Sequence, residues 1–388
     1  MARTRTYLDW NATAPLSAVA RAAMMTALDL PGNASSVHNE GRAARSAVDR
    51  ARRQVATLVG AEPTHVTFTS GATEAANHVL TPNFRMGKSP LAVSRLYVSA
   101  VEHPAVREGG RFAADQVSEV AVTPAGIIDL GALEAMLQAH DRSQGLPMVA
   151  VMLVNNETGI LQPVADAARI THAHGGLMIC DVTQAVGRMP VDIAALDADF
   201  LFFSSHKIGG PKGVGALVSR GEVLMPAPLI RGGGQEKGHR SGTENFYSVV
   251  GFGAAAEFAA TAITERNEAI AALRDHLERE MRLAAADVVI HGADVARAPN
   301  TSFFTLPGLK AETGQIAFDI EGVSLSAGSA CSSGKVGESY VLTAMGQDPK
   351  TGALRISLGP ETTGDDIARV IAAFARIAGR RKLADTAA

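Results

Sequence analysis

Short apolar runs alternate with stretches of helical spacing through the first two thirds of the chain. The runs VTFTS (66–70), LYVSA (96–100), VAVMLV (149–154), GLMIC (176–180), FLFFS (200–204) and GALVS (215–219) are too short for buried helices and rich in β-branched and aromatic residues. They therefore predict strands. Apolar positions at helical spacing over 40–59, 129–140 and 163–174 fill gaps between them. This alternation predicts βα units joined into a mostly parallel, seven-stranded sheet, with right-handed crossovers that put helices on both faces. After residue 243 the pattern changes. Residues 243–285 read as long alanine-rich helix, followed by VVIHG, TSFFTL, a helix over 311–319, the strands GVSLSA and LRISL, and a closing helix over 363–381. That series predicts a smaller α+β unit. The expected division is 16–255 for the large domain, with 1–15 and 256–388 forming the small one.

Composition narrows the function classes. At 388 residues and 46% hydrophobic content the chain can bury more than one core. A formal net charge of −3 provides no overall basic field to gather nucleic acid or an anionic membrane, so ligand preference must come from local sites. Arginines 42, 45, 50, 52 and 53 lie on a helix whose Val48, Val55, Leu58 and Val59 face inward, and they read as a solvated face. The opening MARTRTYLDWN is not followed by an apolar segment, and no uninterrupted apolar run is long enough for a bilayer, so the expectation is a soluble cytoplasmic protein. Two cysteines are far from a disulfide framework. Cys180, in the strand-like GGLMICDVTQ, is expected to be buried and inert. Cys331 sits among small polar residues in SLSAGSACSSGKVGES, in a loop, and is the thiol that calls for a chemical explanation.

Open α/β sheets bind ligands at the carboxyl ends of their strands, so the residues just after each apolar run carry most weight. After VTFTS comes Ser70-Gly71-Ala72-Thr73-Glu74, a glycine turn opening a helix, suited to a phosphate through free backbone N–H groups. His103 follows LYVSA immediately before Pro104; Asn155-Asn156-Glu157-Thr158-Gly159 follows VAVMLV; Asp181, with Gln184 beyond it, follows GLMIC. Each has a bland alternative as a turn or helix cap. Lys207 does not. A lysine at the end of buried FLFF must be paired, deprotonated or covalently used. A lysine amine, phosphate-binding groups and a buried carboxylate together are the parts that hold pyridoxal 5′-phosphate, the lysine as a Schiff base and the carboxylate on the ring nitrogen. Competing signatures fail: Arg231-Gly232-Gly233-Gly234 lacks P-loop spacing, and His172 and His174 in THAHGG have no further ligand cluster, so no metal site is expected.

The chain resembles the NifS/IscS-type cysteine desulfurases, pyridoxal-phosphate enzymes of fold type I. The resemblance is carried in chain order by YLDWNATAP, GNASSVHNEGR, FTSGATEAAN, VEHPAV, VNNETGILQP, DVTQAVG, SSHKIGGPKGVG, GGGQEKGHRSGTEN, GSACSSG and LRISLG. It implies that Lys207 carries the cofactor, Asp181 partners its ring nitrogen, Gln184 donates to its ring hydroxyl, and His103 stacks on the ring and moves protons. It further implies that Thr73, Ser204 and His206 hold the phosphate, that Thr243 reaches the phosphate of the other subunit of a homodimer, and that Asn155 and Arg355 bind the carboxylate of L-cysteine. Cys331 would take the sulfur as a persulfide, leaving alanine, and a loop of small neighbours (Ser329, Ala330, Ser332, Ser333, Gly334) would carry it to an acceptor such as an iron–sulfur scaffold protein. The chain departs from the family's opening motif at Trp10, where asparagine is usual, and at Ala14, where a second threonine is usual. Transamination, selenocysteine lysis and a cofactor-free scaffold remain the alternatives, and only desulfuration and selenocysteine lysis give Cys331 a task.

Overall fold

Strands that are apolar on both faces have to be covered on both faces, and the main sheet is. Within Phe200–Ser204, Leu201 and Phe203 join a core containing Tyr97, Met178 and Cys180, whereas Phe200 and Phe202 join a second core containing Leu96, Val98 and Ile179. Helices Asn39–Leu58, Leu130–Gln138, Val164–Ala173 and Phe246–Ala260 cover the first face through residues such as Val48, Leu133, Ala167 and Phe252. Helix Ala72–Val79 covers the second through Ala75, Ala76 and Val79. Each phenylalanine so buried is worth about 1.5–3 kcal/mol of transfer free energy, which is why the FLFF run dominates this region. The computed structural model describes residues 5–261, 263–328, 338–348 and 352–386; Cys331 and its small neighbours lie outside them.

Across the sheet the strands run in the order Leu224–Pro226, Asn83–Met86, Ser89–Ser99, Leu146–Ala150, Leu177–Asp181, Phe200–Ser204, Gly215–Ser219, Val66–Thr69, with Val117–Val120 paired beside Ser89–Ser99. The pairings from Val117–Val120 to Phe200–Ser204 are parallel, and Gly215–Ser219 is antiparallel to both its neighbours. These seven strands make the mostly parallel sheet the pattern predicts. Asn83–Met86, antiparallel to the first part of Ser89–Ser99, and Leu224–Pro226, antiparallel to Asn83–Met86 in turn, extend it to nine. They escape a reading by pattern because they are short, half-exposed edge segments, one ending in proline. The run 149–154 also differs: its strand is Leu146–Ala150, although Val151 and Leu153 still donate to Ile179 O and Asp181 O.

The single helix read over 243–285 is two, Phe246–Ala260 and Ile263–Ala284, because Thr261 turns to extended backbone (ψ 129°) and ends the first. A four-stranded sheet follows, in the order Val289–Ile290, Thr301–Thr305, Leu354–Ser357, Ser326–Ala327. Its separate core includes Leu277, Phe304, Phe318 and Phe374. The chain's start joins this part: Thr6–Tyr7 pairs in parallel with Val323–Ser324. The segment that follows crosses back to the main sheet, with Trp10 N–H donating to Ser357 O and Ala14 N–H to His206 O. Residues 9–14 thus lie across the end of the strand that carries Lys207. Among the described residues no single helix is long and apolar enough to cross a membrane.

Candidate active site

The carboxyl ends of the parallel strands converge on one cleft of about 620 Å³. Asp181 is the last residue of Leu177–Asp181, Ser204 the last of Phe200–Ser204, and the 3₁₀ turn Ser205–Lys207 brings His206 and Lys207 directly after it. His103 caps the short helix that begins at Pro104. Thr73 lies in the first turn of Ala72–Val79, whose N-terminal N–H groups open on the cleft beside Ser70 and Gly71. That turn approaches the neighbouring strand so closely that a Cβ on Gly215 would sit 2.7 Å from both Gly71 Cα and Phe203 O. Glycine is the residue that fits there. Glu74 fixes the turn from the other side by accepting from Ser70 N–H at 2.9 Å while it is ion-paired with Arg240.

Thr73, His103, Asp181, Gln184, Ser204, His206 and Lys207 all line this one cleft. Lys207 Nζ donates to Asn11 O at 2.6 Å and Ala12 O at 2.9 Å, so the N-terminal segment holds the amine at the cleft wall. Asp181 accepts from Thr183 N–H at 2.8 Å, and burial raises its pKa above the usual carboxylate range despite the hydrogen bonds to Thr183 and the charge of Lys207. Burial, reinforced by Lys207, lowers the pKa of His103 to about 4. Its Nδ1 accepts from Ala105 N–H at 3.1 Å, so the neutral ring carries its proton on Nε2. His206 is likewise lowered to about 4 by burial and the nearby cations, and it bonds Thr13 Oγ1 at 3.1 Å. Gln184 is held at both ends, donating from Nε2 to Asn11 O at 3.0 Å and accepting from Arg188.

The chain matches the family model for aminotransferase class-V over residues 6–370. It is 37% identical to a cysteine desulfurase of Sinorhizobium fredii, the match covering 94% of each chain, and 36% identical to an IscS-like cysteine desulfurase of Mycobacterium tuberculosis, covering 93% of each. Its fold superposes on a NifS-like protein from Rickettsia africae with a TM-score of 0.85 at 34% identity, covering 96% of this chain and 99% of that one. This chain belongs to the NifS/IscS-type cysteine desulfurase family.

That family is pyridoxal-phosphate-dependent, and the cleft fits the cofactor. It offers an amine, a carboxylate at a strand end, a helix N-terminus, and further hydroxyl, imidazole and ammonium groups on the same lining. It also holds a buried acceptor and hydroxyl, Asn156 Oδ1 and Thr183 Oγ1, that have no hydrogen-bond partner among the described residues. For a desulfurase of this family, three expected site residues stand elsewhere. Asn155 does not line the cleft; its Nδ2 donates to Val101 O, and its Oδ1 accepts from Glu157 N–H, Thr158 N–H and Thr158 Oγ1–H, so the side chain locks its own turn. Asn156 is the neighbour that faces the cleft. Arg355 is 1% exposed and engaged with Asp9 Oδ1 at 2.9 Å and Asn156 O at 2.8 Å, one layer behind the lining. Thr243 is exposed and off the cleft. Cys331 lies outside the described residues.

Sequence reasoning passed over Thr13 and Lys212, which also line the cleft. The signal for Lys212 was present in HKIGGPKG, a second lysine across a glycine turn; Thr13 gave none, since its proximity to His206 spans 193 residues. It also passed over Glu102, completely buried, whose Oε1 accepts from Met152 N–H and whose Oε2 has no partner among the described residues. Cys180 is fully buried with its thiol pKa pushed well up by burial, an inert core residue. Of the five clustered arginines four are exposed, but Arg52 forms a two-pronged ion pair with Glu236 and lies over the Phe68 ring. Among the described residues no group of three or more histidine, cysteine or acidic side chains could hold a metal ion; His172 bridges Asp197 and Asp199 instead.

Proposed function

We propose that this protein is a cysteine desulfurase that converts L-cysteine to L-alanine and passes the sulfur to Cys331 as a persulfide for an acceptor such as an iron–sulfur scaffold. The observation that carries the reading is the meeting, in one cleft, of Lys207, Asp181, His103 and the donors Thr73, Ser204 and His206 from four separate strand ends. Pyridoxal 5′-phosphate, when bound, supplies the electron sink that weakens the substrate's carbon–sulfur bond. Lys207 would hold it covalently and Asp181 would face its ring nitrogen, where a cation next to the carboxylate reverses the effect of burial. Gln184, fixed at both ends of its amide, would direct its remaining N–H to the ring hydroxyl. Thr73, Ser204 and His206 would hold the phosphate, with Lys212 adding charge. His103 would stack on the ring and deliver protons from Nε2.

Asn155 and Arg355 would serve the substrate carboxylate, Asn155 by setting the turn that presents Asn156, and Arg355 by exchanging Asp9 for the substrate. The Cys331 thiolate would attack the substrate sulfur, breaking its bond to carbon and leaving a persulfide that an external thiol reduces to sulfide. Thr243, exposed and away from this cleft, would reach the corresponding cleft of a second copy, which makes the working unit a homodimer. We place it in the cytoplasm, with 16–255 as the cofactor domain and 1–15 with 256–388 carrying the cysteine loop.

The test is incubation of the purified protein with L-cysteine and a reductant, quantifying alanine and sulfide together. Equal amounts are expected from the natural protein, and loss of sulfide from Cys331→Ser. Borohydride treatment should fix a phosphopyridoxyl group on Lys207. Full sulfide production by Cys331→Ser, or an unmodified Lys207, would contradict the proposal.

A further inference from the structure

A second cavity, of about 240 Å³, shares one residue with the cleft, Lys207. It lies between the first-face core of the main sheet, to which Val186 and Ala259 belong, and the core of the four-stranded sheet, to which Ile270 and Leu358 belong, and all four line it. Sites between packed units are favoured places for small molecules, and this one is below the roughly 300 Å³ at which drug-sized ligands begin. One wall is the ring of Trp10, the chain's only tryptophan. The ring lies so flat on Gly359 that a Cβ there would come within 2.0 Å of it. Trp10 and Ala14, the two departures from the family's opening motif, both line this cavity.

The polar part of the lining is unusual in its charge. Arg188 is 8% exposed, and its partners are Gln184 O at 2.8 Å, the Gln184 side-chain oxygen and Trp10 O at 3.4 Å, all uncharged. Arg266 donates to the carbonyl oxygens of Ala259, Thr261, Phe258 and Gly187, and its buried Nε has no partner among the described residues. Neither guanidinium meets a carboxylate among the described residues. The acidic residue on the lining, Glu361, is exposed. Arg188 is thus a buried cation without a counter-charge, which is costly, and a carboxylate suits its guanidinium; Arg266 is half-buried and has its Nε–H left to donate. In keeping with this, burial and the charge of Arg355 push the pKa of Arg188 down to about 9.

We propose that this cavity binds a small apolar monocarboxylate, with its carboxylate on Arg188 and Arg266 and its hydrocarbon body against Val186, Ile270, Leu358 and the Trp10 ring. The site does not depend on the desulfurase reading. Its test is titration of the holoenzyme with sodium hexanoate, read by tryptophan-selective fluorescence, which reports on Trp10 alone. The expected result is a saturable change, with hexanamide and hexylammonium binding at least about tenfold more weakly. Ala259→Leu, which fills the cavity, should abolish the change, and Arg266→Gln should weaken hexanoate by about tenfold while leaving hexanamide unaffected. Should Ala259→Leu fail to fold, Arg266→Gln decides. No saturable change, equal binding of hexanoate and hexanamide, or natural affinity in Arg266→Gln would each overturn the proposal.

Discussion

Glu102 offers the sharpest check on the electrostatics of the cleft. It is completely buried beside Asp181, its Oε1 accepts from Met152 N–H, and its Oε2 has no partner among the described residues. Burial first, and then the charge of Asp181, raise its pKa well above the usual range, so the folded protein keeps this carboxyl protonated where the unfolded chain would release it. Above the unfolded value, about 4.3, the native state binds one proton more than the unfolded state, and stability falls by about 1.4 kcal/mol for each pH unit over which that proton is retained. Glu102→Gln has no such proton to hold. The difference in urea-unfolding free energy between Glu102→Gln and the natural protein should therefore shift in favour of the variant as pH rises above the unfolded value, with a slope of about 1.4 kcal/mol per pH unit until the folded protein releases the proton. The offset at pH 5 depends on how the amide packs, but the slope does not. Infrared spectra should also lose a protonated-carboxyl band in the variant. Parallel stability curves for the two proteins would refute the reasoning, because they would mean that Glu102 ionises as an ordinary carboxylate. The functional consequence is that a neutral Glu102 leaves Asp181 as the carboxylate free to ionise against a cationic ring.

Asp181→Asn should retain the fold but lose about 10²–10³-fold in alanine formation, checked by kcat at saturating cysteine. Gly215→Ala drives a Cβ against Gly71 Cα and Phe203 O, and overpacking of about 1–3 kcal/mol should loosen the turn that carries Thr73; if that turn holds the cofactor phosphate as proposed, bound cofactor is lost faster on dialysis. His172, between Asp197 and Asp199, keeps its proton more tightly than an ordinary histidine because the hydrogen bonds and charges of those residues outweigh burial, which opposes them. Its raised pKa means the bridge stabilises fully below about pH 6.5 and is lost as pH rises through the folded value. His172→Gln should cost about 0.5–1 kcal/mol near pH 6, allowing for solvent screening of this half-exposed bridge, and progressively less as pH rises, by denaturant unfolding.

Much of the cleft is legible along the chain because a parallel sheet gathers the ends of its strands. Any polar residue directly following an apolar run is carried to the same edge, so Asp181, Ser204, His206 and Lys207 needed only the period of the strands to be placed together. Orientation was less accessible. Asn155 and Asn156 are adjacent and alike, yet one side chain is used up inside its turn and the other faces the cleft, a choice made by Val101 O from another segment.

Alternation of apolar and polar residues fixes which elements form and which of their faces are buried, and hence the sheet, its two covered faces and the strand ends that carry the chemistry. It does not fix which distant segment packs against each face. The Asp9–Arg355 pair, the clasp of Asn11 and Ala12 carbonyls on Lys207, the stacking of Trp10 on Gly359 and the cavity it closes all join parts of the chain separated by about 200 to 350 residues. Those contacts belong to tertiary packing alone, because local periodicity reports that a side chain is buried but carries no information about what buries it.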